Sequence, residues 1–223
     1  MSDLSSIAAN TISRRAILLA GAAMTVLAPS VSAQRRSGPS EVPVEELMKP
    51  GDLPDLKLGS PDAKVTIVEY ASMTCGHCAN FHNNVFPELK QKYIDTGKVL
   101  FVMREFPLDN LAAAGSMLAR CAGGDKTYPM LDILFQKQGE WVVRNNPVPK
   151  LFEIAKQAGF TQESFDKCLT DDNLLSQIES SRKRASEAFG VSSTPTFFIN
   201  GKRLEGGSSI AEFDRALEPL LKG

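Results

Sequence analysis

The sequence has little net charge and no internal repeat, and each of these absences excludes a class of protein. The formal net charge is -1 over 223 residues, so no basic surface for nucleic acid is implied and we expect no nucleic-acid partner. No heptad run, collagen period or repeated unit is present, which excludes coiled-coil, fibrous and solenoid proteins. The apolar fraction of 43% and the charged fraction of 23% are ordinary for one globular domain.

The apolar stretch near the N-terminus is short, is rich in Ala and Gly and contains Pro29, so it is a poor membrane-spanning helix. Arg14 and Arg15 precede it and a small-residue site ending at Ala33 follows it, which is the pattern of a secretory signal peptide. We therefore predict a cleaved signal peptide over residues 1–33, with an uncleaved anchor as the alternative. The arginine pair also resembles a twin-arginine signal, and the general secretory route is an equal alternative.

Strand and helix signals alternate in the first half of the mature chain, which predicts an α/β fold. Residues 34–60 are rich in Pro, Gly, Ser and charge, and are predicted to form a solvated leader with one short helix near 44–48. Apolar, β-branched runs at 64–70 and 98–106 are typical of buried strands. A helix over about 76–93, which its proline should kink or break, joins these two strands.

The second half is helical until close to its end. From about 108 to 189 there is almost no strand signal, and we expect four or five helices. Strand character returns at 194–199, Asn200-Gly201 predicts a hairpin turn, and an amphipathic helix closes the chain. We therefore expect one domain over 61–223, with a right-handed crossover between its first two strands and an inserted all-helical subdomain at about 108–189.

Two cysteines, Cys75 and Cys78, directly follow the first predicted strand, with Gly76 and His77 between them. The predicted helix begins here, and a helix N-terminus offers unpaired N–H groups and a dipole that favours negative charge. Cys75 is therefore expected to hold a thiolate with a lowered pKa, and His77 adds a further donor or positive charge beside it. Cys78 lies one turn further on the same face, where the two sulfurs can close into a disulfide.

Other uses of this cysteine pair match the sequence less well. Haem attachment requires a histidine directly after the second cysteine, where Ala79 stands. A structural zinc site requires four ligands, commonly in two separated pairs, whereas the two histidines of the chain, His77 and His82, crowd against this one pair. Copper held by Cys75, Cys78 and His82 is an alternative, and a purely structural disulfide would close only a very small loop.

Two residues outside the cysteine motif are candidates for the same site. Glu69 lies in the predicted strand before Cys75. It is either an acid that reaches water at the strand end or a partly buried acid that takes or relays the proton of Cys78. Pro195 begins a later strand, where proline is tolerated. It is either a trans proline in a loop or a cis proline beside the cysteines that leaves the Thr194 backbone free to pair with an extended peptide.

The segments IVEYASMTCGHCANFH and VSSTPTFFING, with a large helical insertion between them, resemble the DsbA family of bacterial periplasmic thiol–disulfide oxidoreductases. The similarity covers roughly residues 60–223 and is of the alphaproteobacterial type. It implies an α/β protein with a thioredoxin fold and an inserted all-helical subdomain, located in the periplasm. It also implies a redox-active Cys75–Cys78 disulfide, with no separate cofactor and no metal.

The same resemblance implies roles for individual residues. Cys75 would be the nucleophile and Cys78 the resolving cysteine, with His77 stabilising the thiolate. Glu69 would be the buried acid, and the peptide bond before Pro195 would be cis.

Cys121 and Cys168, which the pattern alone leaves as two separate buried thiols or a bonded pair, would form a structural disulfide between two helices. The implied partners are unfolded exported polypeptides with free thiols and a membrane protein of the DsbB type, linked to quinone, that reoxidises the site. We expect a monomer, because no sustained heptad pattern is present.

Two positions depart from the best-known members of the family and leave the direction of electron flow open. Gly76 stands where those members have Pro, as in eukaryotic protein disulfide isomerases, and Thr194 stands where they often have Val, as in several isomerases. A disulfide isomerase or reductase of the same fold is therefore one alternative to an oxidase. A binding protein without turnover, either a holdase or a metal chaperone, is another.

Overall fold

The structure, a computed structural model, describes residues 38–222. The predicted signal peptide at residues 1–33 lies outside the described residues. Within 38–222, no helix is long and apolar enough to cross a membrane.

A five-stranded mixed sheet forms the centre of the described chain. Its strands are β1 (Leu56–Leu58), β2 (Val65–Ala71), β3 (Val99–Glu105), β4 (Thr196–Ile199) and β5 (Lys202–Arg203). They lie in the order β1-β3-β2-β4-β5, in which β2 and β3 run parallel and the other neighbours run antiparallel. The predicted α/β class and the parallel pairing of the first two predicted strands are confirmed.

The two central strands, β2 and β3, are covered on both faces. Every residue of β3 and all of β2 except Thr66 are buried. A strand buried on both faces needs apolar residues at consecutive positions, which is why residues 99–103 show no alternation. Because side chains of a strand alternate between faces, Glu69 faces the larger core with Ile67, and Tyr70 faces the smaller one.

Helices pack on both faces of this sheet. They are α1 (Val44–Met48), α2 (Gly76–Asn84), α3 (Phe86–Leu89), α4 (Asn110–Ala122), α5 (Thr127–Gln136), α6 (Gln138–Trp141), α7 (Pro147–Gln157), α8 (Gln162–Leu169), α9 (Asp172–Phe189) and α10 (Ile210–Lys222). The short helix near 44–48 and the closing helix are as the sequence predicted.

The predicted helix over about 76–93 is interrupted, as its proline indicated. α2 ends at Asn84 and α3 begins at Phe86, so Pro87 lies in the first turn of α3. There its missing N–H costs no hydrogen bond. A five-residue π-helical turn, Lys90–Ile94, leads on toward β3. The break leaves α2 as a short separate helix that begins at the cysteine motif.

The helical insertion contains six α-helices, α4 to α9, so the prediction of four or five was too low. The Gly-Gly pair at 123–124 separates α4 from α5. No glycine or proline marks the break between α5 and α6 at Lys137. There the indole Nε1 of Trp141 donates to the Leu134 carbonyl over 2.9 Å, which satisfies a group that the helix end leaves free.

The segment 38–60 is not a solvated leader, and that prediction is wrong for the residues described. Val42, Leu47 and Leu53 are buried. The Leu47 carbonyl accepts a hydrogen bond from the buried Arg104 guanidinium over 2.7 Å. The apolar residues of this segment are isolated among polar ones, so no local period marks them, and their burial depends on the sheet that they contact.

This N-terminal segment also covers both edges of the sheet. At one edge β1 pairs antiparallel with β3. At the other edge the Arg203 N–H donates to the Ser40 carbonyl and the Val42 N–H donates to the Gly201 carbonyl, each over 2.8 Å. Glu41 forms a bridge with β5 between these two bonds. Residues 40–58 are therefore part of the folded domain.

Candidate active site

Cys75 lies in the turn that leads from β2 into α2. Its N–H donates to the Ser72 carbonyl, and its own carbonyl accepts from the Ala79 N–H, both over 3.1 Å. Its backbone is extended (φ -81°, ψ 119°), and it is the N-cap residue of a helix that begins at Gly76. The free N–H groups of the first turn are therefore directed at the Cys75 sulfur, as the sequence predicted.

The pKa of Cys75 is lowered to about 5, chiefly because the Cys78 thiol donates a hydrogen bond to its sulfur. The Thr194 side chain and the N–H groups of Cys78 and His77 add to this effect, while partial burial opposes it. Since the thiolate is the nucleophilic form of cysteine, Cys75 is charged and reactive at neutral pH. The contribution of His77 to this lowering comes from its backbone N–H, and its side chain is exposed.

Cys78 has the opposite character. It is buried with 0% exposure, and burial raises the pKa of its thiol strongly. Its hydrogen bond with Cys75 and the negative charge of Glu69 raise that pKa further. At neutral pH the motif therefore holds one accessible thiolate and one buried, protonated thiol.

The loop before β4 brings a second backbone segment against the reactive sulfur. The Thr194–Pro195 peptide bond is cis, the form that the family resemblance implied. The Cys75 thiol donates to the Thr194 carbonyl over 3.3 Å. The Thr194 hydroxyl is buried and, among residues 38–222, has no hydrogen-bond partner. It is therefore available to turn toward the sulfur when Cys75 is a thiolate.

A small hollow of about 180 Å³ opens beside the cis peptide. Its lining consists of two exposed residues of α2 and two loops, namely His77, Asn80, Thr194, Pro195, Gly206, Gly207 and Ser208. Gly207 has a φ of 99°, and a Cβ there would fall 2.6 Å from the Phe197 ring. The second loop can therefore approach the sheet this closely only with glycine at that position.

Glu69 does not reach water at a strand end. Its side chain is fully buried, and Oε2 lies 3.0 Å from Nε2 of His82. The sequence considered His82 only as a copper ligand and missed this pairing, because the partner lies on another element. His82 is four residues after Cys78 on α2, so the two share a helix face, and that spacing was the available signal.

Gln138 is a second residue that the sequence missed. Its Nε2 donates to the Met73 carbonyl over 2.9 Å and to the Cys75 carbonyl over 3.0 Å. This side chain, at the start of α6, ties the helical insertion to the turn that carries the reactive cysteine. Nothing in the sequence marks it, because it lies more than sixty residues along the chain from the motif.

One of the two histidines that the metal alternatives require already has a partner. His82 Nε2 is paired with Glu69, and the His77 side chain is exposed. In the described part of the chain, no three His, Cys, Asp or Glu side chains are grouped so that they could hold a metal ion.

Cys121 of α4 and Cys168 of α8 form a disulfide that closes a separation of 47 residues, with the two Cα atoms 6.1 Å apart. The family resemblance implied the same pair. Cys75 and Cys78 are both free thiols. The bonded pair therefore joins two helices within the insertion, and the free pair occupies the end of the sheet.

Comparison with known proteins points to one family. A sequence profile described as Thioredoxin matches residues 52–219. A Rickettsia bellii protein, provisionally named a protein-disulfide oxidoreductase, is 38% identical over 197 residues, or 86% of this chain and 76% of that protein. The Bacillus subtilis disulfide bond formation protein D is 29% identical over 175 residues, or 74% of this chain and 77% of that protein.

Solved structures agree with this assignment. The crystal structure of Wolbachia pipientis alpha-DsbA1 has a TM-score of 0.73 and 32% identity, and the match covers 80% of this chain and 96% of that one. A protein-disulfide isomerase from Novosphingobium aromaticivorans has a TM-score of 0.71 at 21% identity, over 76% of this chain and 98% of that one. The second likeness is one of fold alone.

The chain therefore belongs to the thioredoxin family. Within that family its helical insertion and its relatives identify it as a DsbA-like protein of the alphaproteobacterial type. The protein is a thiol–disulfide oxidoreductase, and the predicted fold class and enzyme class are both confirmed.

Proposed function

We propose that the protein is an oxidase that introduces disulfide bonds into exported polypeptides. The observation that carries the proposal is the unequal state of the two thiols, with a stabilised thiolate at Cys75 and a protonated thiol at Cys78. Interactions that stabilise the reduced form make the corresponding disulfide a stronger oxidant, the property for which DsbA itself is known.

The reaction begins when a substrate thiolate attacks the Cys75 sulfur of the Cys75–Cys78 disulfide. A mixed disulfide forms, the bond between the two cysteines breaks, and Cys78 leaves as a thiolate that takes up a proton. A second substrate thiolate attacks the substrate sulfur of the mixed disulfide, and Cys75 leaves. The substrate loses two electrons and the enzyme gains them. Because a thiol of low pKa is a better leaving group, the last step favours release of oxidised substrate.

The remaining site residues have proposed roles in the same cycle. The Thr194 backbone and Pro195 dock an extended stretch of substrate beside Cys75, which the short contact between the Cys75 thiol and the Thr194 carbonyl supports. Glu69 takes or relays the proton of Cys78, which its burial and its charge on that thiol support. The small hollow beside the cis peptide is wide enough for a side chain next to the substrate cysteine.

The cellular setting is also proposed. We place a signal peptide at residues 1–33 and the mature protein in the periplasm, where disulfides persist. Its partners are unfolded exported polypeptides with free thiols and a membrane protein of the DsbB type that returns the electrons to quinone. The redox-active disulfide serves in place of a separate cofactor, and the protein acts as a monomer.

An isomerase is the second candidate. It is favoured by Gly76 between the cysteines and by Thr194 before the cis proline, both of which are found in isomerases of this fold. A Cβ on Gly76 would meet nothing within 4 Å, so the site does not require glycine for reasons of space.

Two assays, run side by side, test the proposal. One measures oxidation of a reduced dithiol peptide, and the other measures refolding of a protein with scrambled disulfides. We expect fast oxidation, weak isomerisation and a reduction potential far above the value of about -270 mV of thioredoxin. Strong isomerisation with weak oxidation, or a potential near that of thioredoxin, would overturn the oxidase assignment. Insulin reduction by the parent protein that is lost in Cys75→Ser would identify an enzyme, whereas a parent protein that does not reduce insulin would be a holdase.

A further inference from the structure

A buried ionisable pair lies behind the cysteine motif. The Nε2 atom of His82 is 3.0 Å from Oε2 of Glu69, and the two side chains are 2% and 0% exposed. The imidazole ring stacks on Phe135 of α5, with ring centroids 4.2 Å apart and an interplanar angle of 11°. Strand β2, helix α2 and helix α5 together therefore fix the orientation of the pair.

Each member of the pair keeps one polar atom without a partner. Glu69 Oε1 and His82 Nδ1 are buried, and neither makes a hydrogen bond within residues 38–222. Buried polar atoms are usually satisfied, because an unmade hydrogen bond costs free energy there. A pair that served only to hold the fold would gain from satisfying both atoms. A pair that relays a proton needs a free polar atom on each side, one to accept the proton and one to release it.

The cysteine that must gain and lose a proton adjoins this pair. Cys78 and His82 lie four residues apart on the same face of α2, and that face packs against the larger core toward which Glu69 points. The Cys78 thiol is closed to solvent. Its proton must therefore travel through the protein, and the ionised carboxylate of Glu69 already acts on that thiol.

Few other ionisable groups face the pair in the described part of the chain. Tyr128 of α5 donates its hydroxyl to a backbone carbonyl over 2.9 Å. Burial raises the pKa of Tyr128, and the charges of Glu69 and Glu105 raise it further. Tyr128 therefore stays protonated at neutral pH and is not part of a proton path.

Asp132 is the remaining neighbour, one turn before Phe135 on α5. It is half-buried. Burial raises the pKa of its carboxyl, while the charges of His82 and Lys90 oppose that rise. Asp132 is thus a carboxyl group with partial access to solvent that senses the charge of the histidine.

We propose that His82 relays the proton of Cys78 through Glu69, a role that rests on the thiol–disulfide exchange described above and deepens it. When the Cys75–Cys78 bond breaks, Cys78 leaves as a thiolate. The proton held between His82 and Glu69 moves by way of Glu69 to the Cys78 sulfur, which leaves Glu69 ionised and His82 neutral. When Cys78 attacks a mixed disulfide, the same proton returns along the same path.

His82→Gln tests this relay, because the glutamine amide can still donate to Glu69 but cannot titrate. The measured quantity is the rate constant for reduction of the Cys75–Cys78 disulfide by dithiothreitol from pH 5 to 9, followed by acid quench and mass spectrometry of alkylated protein. We expect a rate about 100-fold lower than that of the parent, the lower end of proton-transfer contributions. We also expect the pH profile of the variant to match that of free dithiothreitol.

The matched control is Asp55→Asn, which breaks another poorly exposed ion pair. Asp55 pairs with Arg104 over 2.7 Å, with side chains 13% and 8% exposed, and Arg104 contacts Tyr70, which faces the smaller core on the other face of the sheet. This variant should lose thermal stability and keep the parent rate and pH profile. If His82→Gln behaves in the same way, His82 is only structural and the relay is wrong.

Nuclear magnetic resonance provides a measurement that needs no substitution at His82 or Glu69. The chain has two histidines, so a His77→Asn protein leaves one imidazole to observe. We expect the ¹⁵N shifts of His82 at neutral pH to change from a protonated ring in the oxidised protein to a neutral ring in the reduced protein. Equal protonation in both forms would overturn the relay. Glu69→Gln provides a second kinetic variant, with the same expected loss of rate.

The relay and the oxidase assignment fail separately. Exchange with dithiothreitol measures proton transfer in either direction, whereas the reduction potential and the peptide assay measure which direction is favoured. An isomerase-like potential together with a rate that depends on His82 would refute the oxidase and keep the relay. A high potential together with a rate that does not depend on His82 would support the oxidase and refute the relay.

Discussion

The two cysteine pairs differ in their spacing along the chain and in the surroundings of their sulfurs. Cys75 and Cys78 are neighbours at a helix start, where one sulfur meets free N–H groups and the other lies near a buried acid. Cys121 and Cys168 join two helices across a separation of 47 residues. The same bond is therefore expected to turn over in one place and to persist in the other, because local charge and burial set the states of the thiols.

The sharpest way to break this comparison is to remove each pair in turn. Cys75→Ser should abolish oxidation of a dithiol peptide, a loss of about a thousandfold or more, because no other cysteine here has a stabilised thiolate. The double variant Cys121→Ser/Cys168→Ser should retain at least half of the parent rate. Loss of oxidation in the double variant at a temperature where it is folded would show that the bonded pair takes part in turnover.

The next effect concerns the ionisation of the two active-site thiols. In the reduced protein, the rate of Cys75 alkylation by iodoacetamide should follow a midpoint near pH 5, because its pKa is lowered to about 5. Cys78 should react far more slowly at every pH from 4 to 9, because burial raises its pKa. A midpoint above pH 8 for Cys75 would contradict the thiolate on which the proposed mechanism depends.

The lowered pKa of Cys75 also makes the stability of the reduced protein depend on pH. A group whose pKa is depressed by folding adds stability that is fully present above its unfolded pKa, about 8.5 for cysteine, and is lost as the pH falls through its folded pKa. The thermal midpoint of the reduced protein, relative to that of the oxidised protein, should therefore fall as the pH decreases from 9 to 5. His77→Ser should change this dependence little if the histidine acts only through its backbone, and strongly if its side chain stabilises the thiolate.

The bonded pair should matter for stability. Closing a loop of this length lowers the entropy of the unfolded chain. This stabilises the folded protein by about 4 kcal/mol at 25 °C, before any loss to strain. Chemical denaturation of the parent and of the Cys121→Ser/Cys168→Ser protein, with the Cys75–Cys78 pair oxidised and no free thiol in either sample, measures the difference. Unchanged free energy of unfolding would mean that the helical insertion is held by packing alone.

A smaller effect should follow from loosening the contact between the insertion and the active-site turn. Gln138→Ala removes two hydrogen bonds to the carbonyls of Met73 and Cys75, each worth about 1 kcal/mol. We expect a fall of about 1 to 2 kcal/mol in stability and a measurable change in the reactivity of Cys75. Gln136→Ala, at an exposed position two residues earlier, is the control and should change neither quantity.

Local sequence patterns predicted the features of this protein that depend on a few neighbouring residues. The buried runs that became β2 and β3, the hairpin at Asn200-Gly201 and the helix start at Cys75 are all specified by a few consecutive residues. The break in the helix after α2 followed from one proline. These features need only backbone preferences and the burial of adjacent side chains.

The features that the sequence missed depend on contacts between distant elements. β1 exists because β3 offers it an edge, and nothing in the residues 56–58 alone indicates a strand. Gln138 reaches the cysteine turn only because α6 packs beside it. Glu69 and His82 each have a distinct position in their own element, but their pairing appears only when α2 crosses β2. Such contacts depend on how distant elements pack together, and a local sequence pattern does not predict that packing.

The N-terminal segment that covers both edges of the sheet also bears on the proposed action on unfolded polypeptides. An open edge is a template on which an extended chain can add itself as a further strand. Here one edge ends in a strand of three residues and the other in a strand of two residues joined to a single bridge. Neither edge strand is long enough to pair stably with an extended substrate chain. Under the proposed function, these short edges leave the loop at Thr194 as the docking site for an extended substrate, and they limit pairing of a substrate chain with the sheet itself.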